Sequence, residues 1–460
     1  MKSHVPVADV TDRTLAALAD YVCDSRFDDL PERAVHACKQ RVIDTVGCAL
    51  AAFDAEPTRI AHALTRRARC DSGSRTIGGA QRVLPELAAF ANGVMARYLD
   101  GNDTYPGGGG HPSDTIAAAL AVADAAQSNG KSLITSITTA YEVYNALAQA
   151  VPLRARSFDN VYYVAVGAAA AAAKLLALDR TRTLHALSLA LTSNLALGAT
   201  RHGALSMWKG CAAADAARNG VFAALLAAEG MTGPDRPVEG VHGLWTLIGE
   251  SKLPPLGAAG EYAVQRSALK AFLAEYHSQG PIALALELRA QVAPEEIKAI
   301  TIHTYWFAWH VIGSEREKWR PSSRETADHS LPYIVAAVIV DGIFSDDIFS
   351  SARLRDPRIH ALSDRIAIDE DPALTREFPE RVPCRMEIVT HRGTRMTAET
   401  DHPLGHPANP MTDEQISAKF STLAQHAMPG ERVRLALDTL WQLESARDLD
   451  RLFGALSITA

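Results

Sequence analysis

The spacing of apolar residues over the first 260 positions is the feature that most limits what this chain can fold into. These residues recur at intervals of three and four, the period of an α-helix that buries one face. In segment 31–50, Pro31 and Glu32 suit a first helical turn, and one apolar stripe follows them for about five turns. The same pattern predicts further helices at 84–98, 114–126, 133–150, 161–178, 183–195 and 211–228.

Segment 161–178 differs from the other predicted helices because it is mostly alanine. Small side chains on every face allow neighbouring helices to approach closely from all sides. We therefore expect this segment to form a central helix of the core.

The pattern changes after residue 265. Residues 296–305 alternate with the two-residue period of a strand, and residues 385–399 predict a hairpin with a glycine-containing turn. Helical spacing returns at 412–456. The sequence thus predicts a mainly α fold, with a large helical domain at 1–265, a smaller α+β domain at 266–405 and a return to the helical domain at 406–460.

Composition narrows the function classes. The net charge of −7 comes without long runs of one sign, and no basic stretch is interleaved with aromatic residues, so nucleic-acid binding is not expected. The longest apolar run, 161–173, is far shorter than the roughly 20 residues of a membrane span. The six cysteines are scattered, as suits a reducing cytosol, and residues 1–14 lack an export pattern. We expect a cytoplasmic protein with no membrane partner.

An acidic protein that binds an anionic substrate must concentrate its cations locally. The first candidate place is segment 98–114, where polar residues and a run of four glycines lead to His111 at a helix start. A helix N-terminus there would suit a substrate carboxylate next to His111. The alternative interpretation is an ordinary Asx-rich turn capped by Ser113.

Three further polar segments carry the same ambiguity. Lys209 lies among glycines before a small-residue helix and could bind a carboxylate, or it could be a surface lysine. Lys270 and the segment 274–279 lie near the predicted domain boundary, where ligand sites are common, although Glu275 to Gln279 could simply cap the next helix. Segment 328–330 poses the same choice.

Other kinds of site lack support in the sequence. No H-E-x-x-H or Cys/His cluster is present, so we expect no metal. A G-x-S-x-G nucleophile elbow and a G-x-G-x-x-G dinucleotide loop are also missing. We expect no cofactor.

Five long segments, taken in order, resemble the MmgE/PrpD family across nearly the whole chain. They are RYLDGNDTYPGGGGHPSD, GALSMWKGCAAADAARN, GMTGPDRPVEG, LKAFLAEYHSQ and RETADHSLPYIVA. The resemblance implies an all-helical domain formed by the N-terminal part and the C-terminal tail, a smaller α+β lid between them, and a homodimer. It also implies a lyase that acts on a small di- or tricarboxylate.

The resemblance is greatest to the 2-methylcitrate dehydratase branch of the family. Decarboxylase members have a histidine near the core helix where this chain has Ser157-Phe158-Asp159. The glycine run at 107–110 replaces bulkier residues, which predicts a pocket for a different or larger acid. A decarboxylase or epimerase of the same fold, and a binding protein without catalysis, remain the alternatives.

The family's active-site pattern falls on Asp100, Thr104, His111, Lys209 and Lys270, and His277 lies in the same segment as Lys270. With the neighbouring polar residues included, the predicted catalytic residues are Asp100, His111, Lys209 and His277, and the predicted substrate-binding residues are Asp103, Thr104, Arg201, Lys270 and Tyr276. In the hypothesis that follows, the lysines hold carboxylates and the developing dianion. His111 and either Asp100 or His277 exchange protons as base and acid.

Overall fold

A computed structural model of the protein describes residues 12–107, 109–257 and 260–458. The predicted absence of an export signal concerns residues that lie mostly outside this range. The N-terminal part contains α1 (Arg13–Asp24), α2 (Glu32–Ala51), α3 (Glu56–Thr65), β1 (Arg69–Arg75), β2 (Arg82–Val83), α4 (Pro85–Tyr98), α5 (Ile116–Ala125), α6 (Gly130–Ala150), α7 (Val161–Leu175), α8 (Arg180–Ser193), α9 (Trp208–Ala228), α10 (Leu244–Ile248) and α11 (Ala263–Arg266).

The middle of the chain alternates short helices with strands. Its elements are α12 (Gln279–Arg289), β3 (Ile297–Thr304), α13 (Trp306–Ile312), α14 (Arg316–Trp319), α15 (Arg324–Ala327), α16 (Leu331–Asp341), α17 (Pro357–Ser363), β4 (Ile366–Glu370), α18 (Pro372–Glu377), β5 (Cys384–Thr390) and β6 (Arg395–Thr400). The chain then ends in α19 (Asp413–Ala424), α20 (Gly430–Trp441) and α21 (Asp450–Leu456).

Helix α7 lies at the centre of the larger core, which confirms the expectation for the alanine-rich segment. All of its residues except Lys174 are buried, and it packs against α6, α8 and α9. Helix α9 approaches α7 closely because its Gly220 faces α7. A Cβ atom at Gly220 would lie 2.7 Å from that of Ala168, which no real structure tolerates. Small residues thus set the distance between these helices.

The C-terminal helices join the same core as the N-terminal ones. Ile416 and Phe420 of α19 are buried in the cluster that contains α2, and α19 packs directly on α2. A separate cluster of apolar residues holds α12, α16 and the four-stranded sheet together. The fold is mainly α with a small α+β part, as the sequence predicted.

The four-stranded sheet has the order β4-β3-β5-β6, with β3 and β4 parallel and the other pairs antiparallel. Ile300, Ile302 and Thr304 of β3 are buried and alternate with less buried residues, which is the predicted two-residue period. Ile297 is also buried, because the register shifts between Ile297 and Ala299 and reverses which side chains face inward. The predicted hairpin is formed by β5 and β6.

None of the described helices is both long and apolar enough to cross a bilayer. The two-stranded ribbon β1–β2 and strand β4 were not among the predicted elements. The first is largely polar, and the second is only five residues long. The strands of the ribbon are too polar or too short to show a period, and β4 is a strand because it pairs with β3, which lies far from it in the chain.

Candidate active site

A cavity of about 410 Å³ is bordered by residues from both cores. The predicted site residues on its wall are Asp100, Thr104, His111, Arg201, Tyr276 and His277. Asp103, Lys209 and Lys270 lie behind this wall. The structure therefore brings most of the predicted residues to one place, but it puts the two lysines in the supporting layer.

Asp100 is the centre of a buried charge cluster. It follows α4 with a positive φ of 53°, a backbone conformation that aspartate tolerates better than most residues. Its Oδ1 lies 2.6 Å from Nζ of Lys270 and 2.7 Å from Nη1 of Arg97, and its Oδ2 lies 3.1 Å from Nζ of Lys209. Burial opposes ionisation, but these cations outweigh it and hold the pKa of Asp100 well below its usual value.

The two lysines are almost fully buried and hold the walls of the site together. Nζ of Lys209, in the first turn of α9, donates to both carboxylate oxygens of Asp328 at 2.8 Å. Nζ of Lys270 donates to the carbonyl oxygen of Asp100 at 2.7 Å as well as to its carboxylate. Both lysines are thus committed to carboxylates of the protein.

A third lysine, which the sequence analysis missed, ties the C-terminal helix α19 to the same loop. Nζ of Lys419 donates to Oδ1 of Asp44 at 2.6 Å and to the carbonyl oxygens of Gly101 and Lys270 at 2.8 and 2.7 Å. Gly101 follows Asp100 directly, and the other carbonyl belongs to Lys270. Lys419 therefore fixes the backbone that positions the side chains of Asp100 and Lys270.

His111 is held as a neutral imidazole. Its Nδ1 lies 2.6 Å from the carbonyl oxygen of Asp103, which can only accept, so Nδ1 carries the proton. Its Nε2 must then accept from Nη2 of Arg97, at 2.9 Å. Burial, followed by the charges of Arg97 and Lys270, lowers the pKa of His111 well below its ordinary value. The lone pair of His111 is therefore already engaged.

His329 is arranged differently, with a carboxylate on one nitrogen and the cavity beside the other. It precedes the buried helix α16, whose first turn is capped by Ser330, and Nδ1 donates to Oδ1 of Asp328 at 2.7 Å. Nε2 therefore carries the lone pair, and it has no hydrogen-bond partner among the described residues. Burial, and then Lys209, lowers the pKa of His329 to about 3. This is the geometry of an oriented base.

Glu275 supplies a proton donor on the same wall. Burial, and then the charge of Asp100, raises the pKa of Glu275 to about 7. Its amide donates to the carbonyl oxygen of Asp328 at 3.0 Å, which ties it to the segment that carries His329. Its carboxylate also accepts from the amide of His277 at 2.7 Å. Glu275 therefore caps the following helical turn and borders the cavity at the same time.

His277 lies beside Glu275 among aromatic rings. Its Nδ1 is hydrogen-bonded to the hydroxyl of Tyr305, and its Nε2 lies 3.7 Å from Oε1 of Glu275. Burial, followed by Arg154, lowers the pKa of His277 to about 3. The neighbouring hydroxyl of Tyr276 is buried without a hydrogen-bond partner among the described residues, and it borders the cavity. A substrate oxygen could accept from it.

Arginines make the cavity attractive to anions. Arg201 is paired with Asp159 at 2.8 Å and also donates to the carbonyl oxygen of Lys209. Arg154 forms no ion pair with any described residue, and its guanidinium lies over the ring of Phe307, 5.5 Å from the centroid. An exposed guanidinium of this kind is well suited to bind a carboxylate.

The other predicted residues shape the loop before α5. Asp103 accepts from the amide of Ser113 at 3.0 Å and from the hydroxyl of Tyr141 at 2.9 Å. Thr104 exchanges two backbone hydrogen bonds with Ala268, at 2.8 and 2.7 Å. Gly110 has a φ of +80°, and a Cβ atom there would collide with Asn160. Gly108 lies outside the described residues.

Several residues of the site carried weak signals in the sequence. The segment Asp328-His329-Ser330 is polar, but nothing in its sequence distinguishes a site from a helix cap. Arg97 and Arg154 lie within or beside predicted helices, where an arginine usually marks a solvated face. Only the tertiary structure shows that Arg97 pairs with Asp100 and that Arg154 borders the cavity.

Comparison with known proteins agrees with this description. A model of the MmgE/PrpD N-terminal domain matches residues 16–255, and one of the C-terminal domain matches residues 272–443. The chain is 29% identical to the 2-methylcitrate dehydratases of Cupriavidus necator and Escherichia coli (strain K12), over 86% of each chain. It is 28% identical to the 2-methylcitrate dehydratase-like protein oryR of Aspergillus oryzae, over 94% of this chain and 92% of that one. Since the N-terminal domain model alone spans more than half of the sequence, the chain belongs to the MmgE/PrpD family.

Proposed function

We propose that this protein is a metal-independent hydro-lyase that dehydrates a hydroxy-tricarboxylate of the 2-methylcitrate type. The observation that carries the proposal is one cavity with a base, an acid and a cationic side chain on its wall. His329 is oriented by Asp328, Glu275 has a pKa of about 7, and Arg154 has no carboxylate partner in the part of the chain that the structure describes. The names of the relatives support the same reaction.

In the proposed reaction, Nε2 of His329 removes the proton from the carbon beside a substrate carboxylate. The electron pair of that C–H bond becomes the double bond, and the C–O bond of the hydroxyl breaks. Glu275 gives its proton to the departing hydroxyl, which leaves as water. The anionic substrate raises the pKa of both groups, which strengthens the base and keeps the acid protonated.

The buried lysines have an indirect part in this proposal. Lys209 and Lys270 hold Asp100 and Asp328, and Asp328 in turn holds His329. The carboxylates of the substrate bind the guanidinium of Arg154 and those N–H groups of the other arginines that are not already donated to the protein. Neutral His111, bound to Arg97, keeps that guanidinium in place until a substrate carboxylate replaces the imidazole.

The surroundings of the possible ligands support the proposed metal independence. Asp100, Asp328 and His329 offer atoms within 4.8 Å of one another, a spacing that could suit a cation. Lys209 and Lys270 already place ammonium groups 2.6–3.1 Å from these carboxylates. A divalent ion would have to displace them against their charge. We further propose that the protein is a cytoplasmic homodimer.

The test is to incubate purified, chelator-treated protein with 2-methylcitrate and follow the unsaturated product by absorbance. Citrate, cis-aconitate and iminodisuccinate are tested in parallel. We expect an alkene and water, with the same rate before and after the chelator. Carbon dioxide or an inverted centre would point instead to a decarboxylase or an epimerase, and binding without turnover to a protein that has no catalytic function.

The pH dependence of kcat/KM tests the role of Glu275. This quantity reports the free enzyme, so we expect it to fall as pH rises through about 7, where Glu275 loses its proton. Because the pKa of His329 is about 3, its imidazole is neutral above about pH 4 and should cause no change of kcat/KM with pH there. In Glu275→Gln, which keeps the cap to His277, we expect at least about a 10²-fold loss and no fall near pH 7.

Asp114 provides the control, because burial also raises its pKa to about 7 although it does not border the cavity. Asp114→Asn should keep the fall near pH 7. If the fall survives in Glu275→Gln and disappears in Asp114→Asn, Glu275 is not the acid.

A further inference from the structure

We infer that the substrate carries an unbranched alkyl chain of several carbons in the position that the methyl group occupies in 2-methylcitrate. This inference rests on the proposed function and names its substrate class more closely. It depends on the size of the cavity and on the aromatic helix face that borders it.

The cavity is larger than a methyl-substituted citrate requires. Its volume of about 410 Å³ lies in the range of roughly 300–1,000 Å³ that encloses drug-sized ligands. The polar groups that the reaction needs, among them Asp100, Glu275 and His329, are a minority of the residues that border the cavity. Space remains beyond them that a small tricarboxylate leaves unfilled.

The remaining space is bordered by one face of α13. Trp306, Phe307, His310 and Val311 of this helix all border the cavity, at the i, i+1, i+4, i+5 spacing of a single helix face. The imidazole of His310 stacks on Trp306 with the centroids 4.7 Å apart, so its flat face extends the apolar surface.

Small and apolar residues of the helical domain border the same cavity. They are Ala155, Phe158 and Gly198. We call the part of the cavity that α13 and these three residues border the α13 groove. The groove is continuous with the polar part of the cavity, which favours an apolar extension of the substrate itself as its occupant.

Exposure increases outward along the α13 groove. His277, beside Glu275, is 6% exposed, Phe307 is half-buried, and Trp306 is 46% exposed. Arg154 lies over the ring of Phe307, at the boundary between the polar and apolar parts. A carboxylate held by Arg154 would leave an attached alkyl chain free to run outward over Phe307 and Trp306.

The experiment measures kcat/KM for citrates that carry methyl, ethyl, butyl and hexyl groups at the same carbon. Each buried methylene should raise kcat/KM about fourfold until the groove is filled. In Val311→Trp the larger ring fills the groove, and the hexyl-to-methyl ratio should fall at least about tenfold. Val241→Trp, at a position 81% exposed and outside the cavity, should leave the ratio unchanged.

Binding of analogues that lack the hydroxyl separates this inference from the proposed function. Tricarballylates with the same series of alkyl groups cannot be dehydrated, and calorimetry should show tighter binding as the chain lengthens. Turnover of 2-methylcitrate with no gain from longer chains in either assay would overturn the alkyl-chain inference alone. Chain-dependent binding without any turnover would overturn the proposed function and keep the recognition of the chain.

Discussion

Replacing Asp100 with asparagine is expected to lower the free energy of unfolding by about 3–5 kcal/mol and kcat/KM by at least about 10²-fold. The carboxylate is fully buried and faces Arg97, Lys209 and Lys270. Removing its charge leaves Lys270 without a carboxylate partner among the described residues and deprives Arg97 and Lys209 of one of theirs, which costs far more than the loss of a surface ion pair. Denaturant unfolding and steady-state kinetics measure the two effects.

Two further variants test this explanation. Asp364→Asn breaks an exposed pair with Arg320 and should cost less than about 1 kcal/mol. The double variant Asp100→Asn/Lys270→Met removes a cation together with the anion, so it should be more stable than Asp100→Asn alone. A loss below about 1 kcal/mol in Asp100→Asn would contradict the view that this carboxylate neutralises the cluster.

Replacing His329 with alanine is expected to lower kcat by about 10²–10⁴-fold, the usual contribution of a general base. KM should change only a few-fold, because His329 is proposed to act on the C–H proton and not to hold a carboxylate. Added imidazole should restore part of the activity, since the variant leaves space beside Asp328. An enzyme weakened only by a packing defect would not respond to imidazole.

Two other histidines serve as comparisons. His391 is exposed in the turn between β5 and β6, so His391→Ala should match the unchanged protein. His111→Ala distinguishes the base proposed here from the one expected from the sequence. If His111→Ala loses more activity than His329→Ala, and only the former is rescued by imidazole, His111 is the base.

Much of the fold could be predicted because its signals are local. The helical spacing before residue 260, the alanine-rich α7, strand β3 and the β5–β6 hairpin each express their structure within a short window. The short strands β1, β2 and β4 could not be predicted in this way. The sequences of β1 and β2 are polar or very short, and β4 becomes a strand only because the distant strand β3 supplies its hydrogen bonds.

The candidate site, too, was predictable in part from the sequence. The sequence alone determined which segments are chemically unusual, since Asp100, His111, Lys209 and His277 lie in long family motifs. It also determined the mainly α fold that carries them. Neither result required knowing which residues meet in space.

Only the tertiary structure decided what these residues contact. Lys209 and Asp328 are 119 residues apart in the chain, and Lys419 reaches Asp44 across 375. Pairing of this kind sets whether a lysine faces substrate or supports a carboxylate, and whether a histidine has a free lone pair. The physical reason is that helix periodicity arises from neighbouring residues, whereas burial, charge compensation and pKa depend on everything within a few ångströms, wherever it lies in the chain.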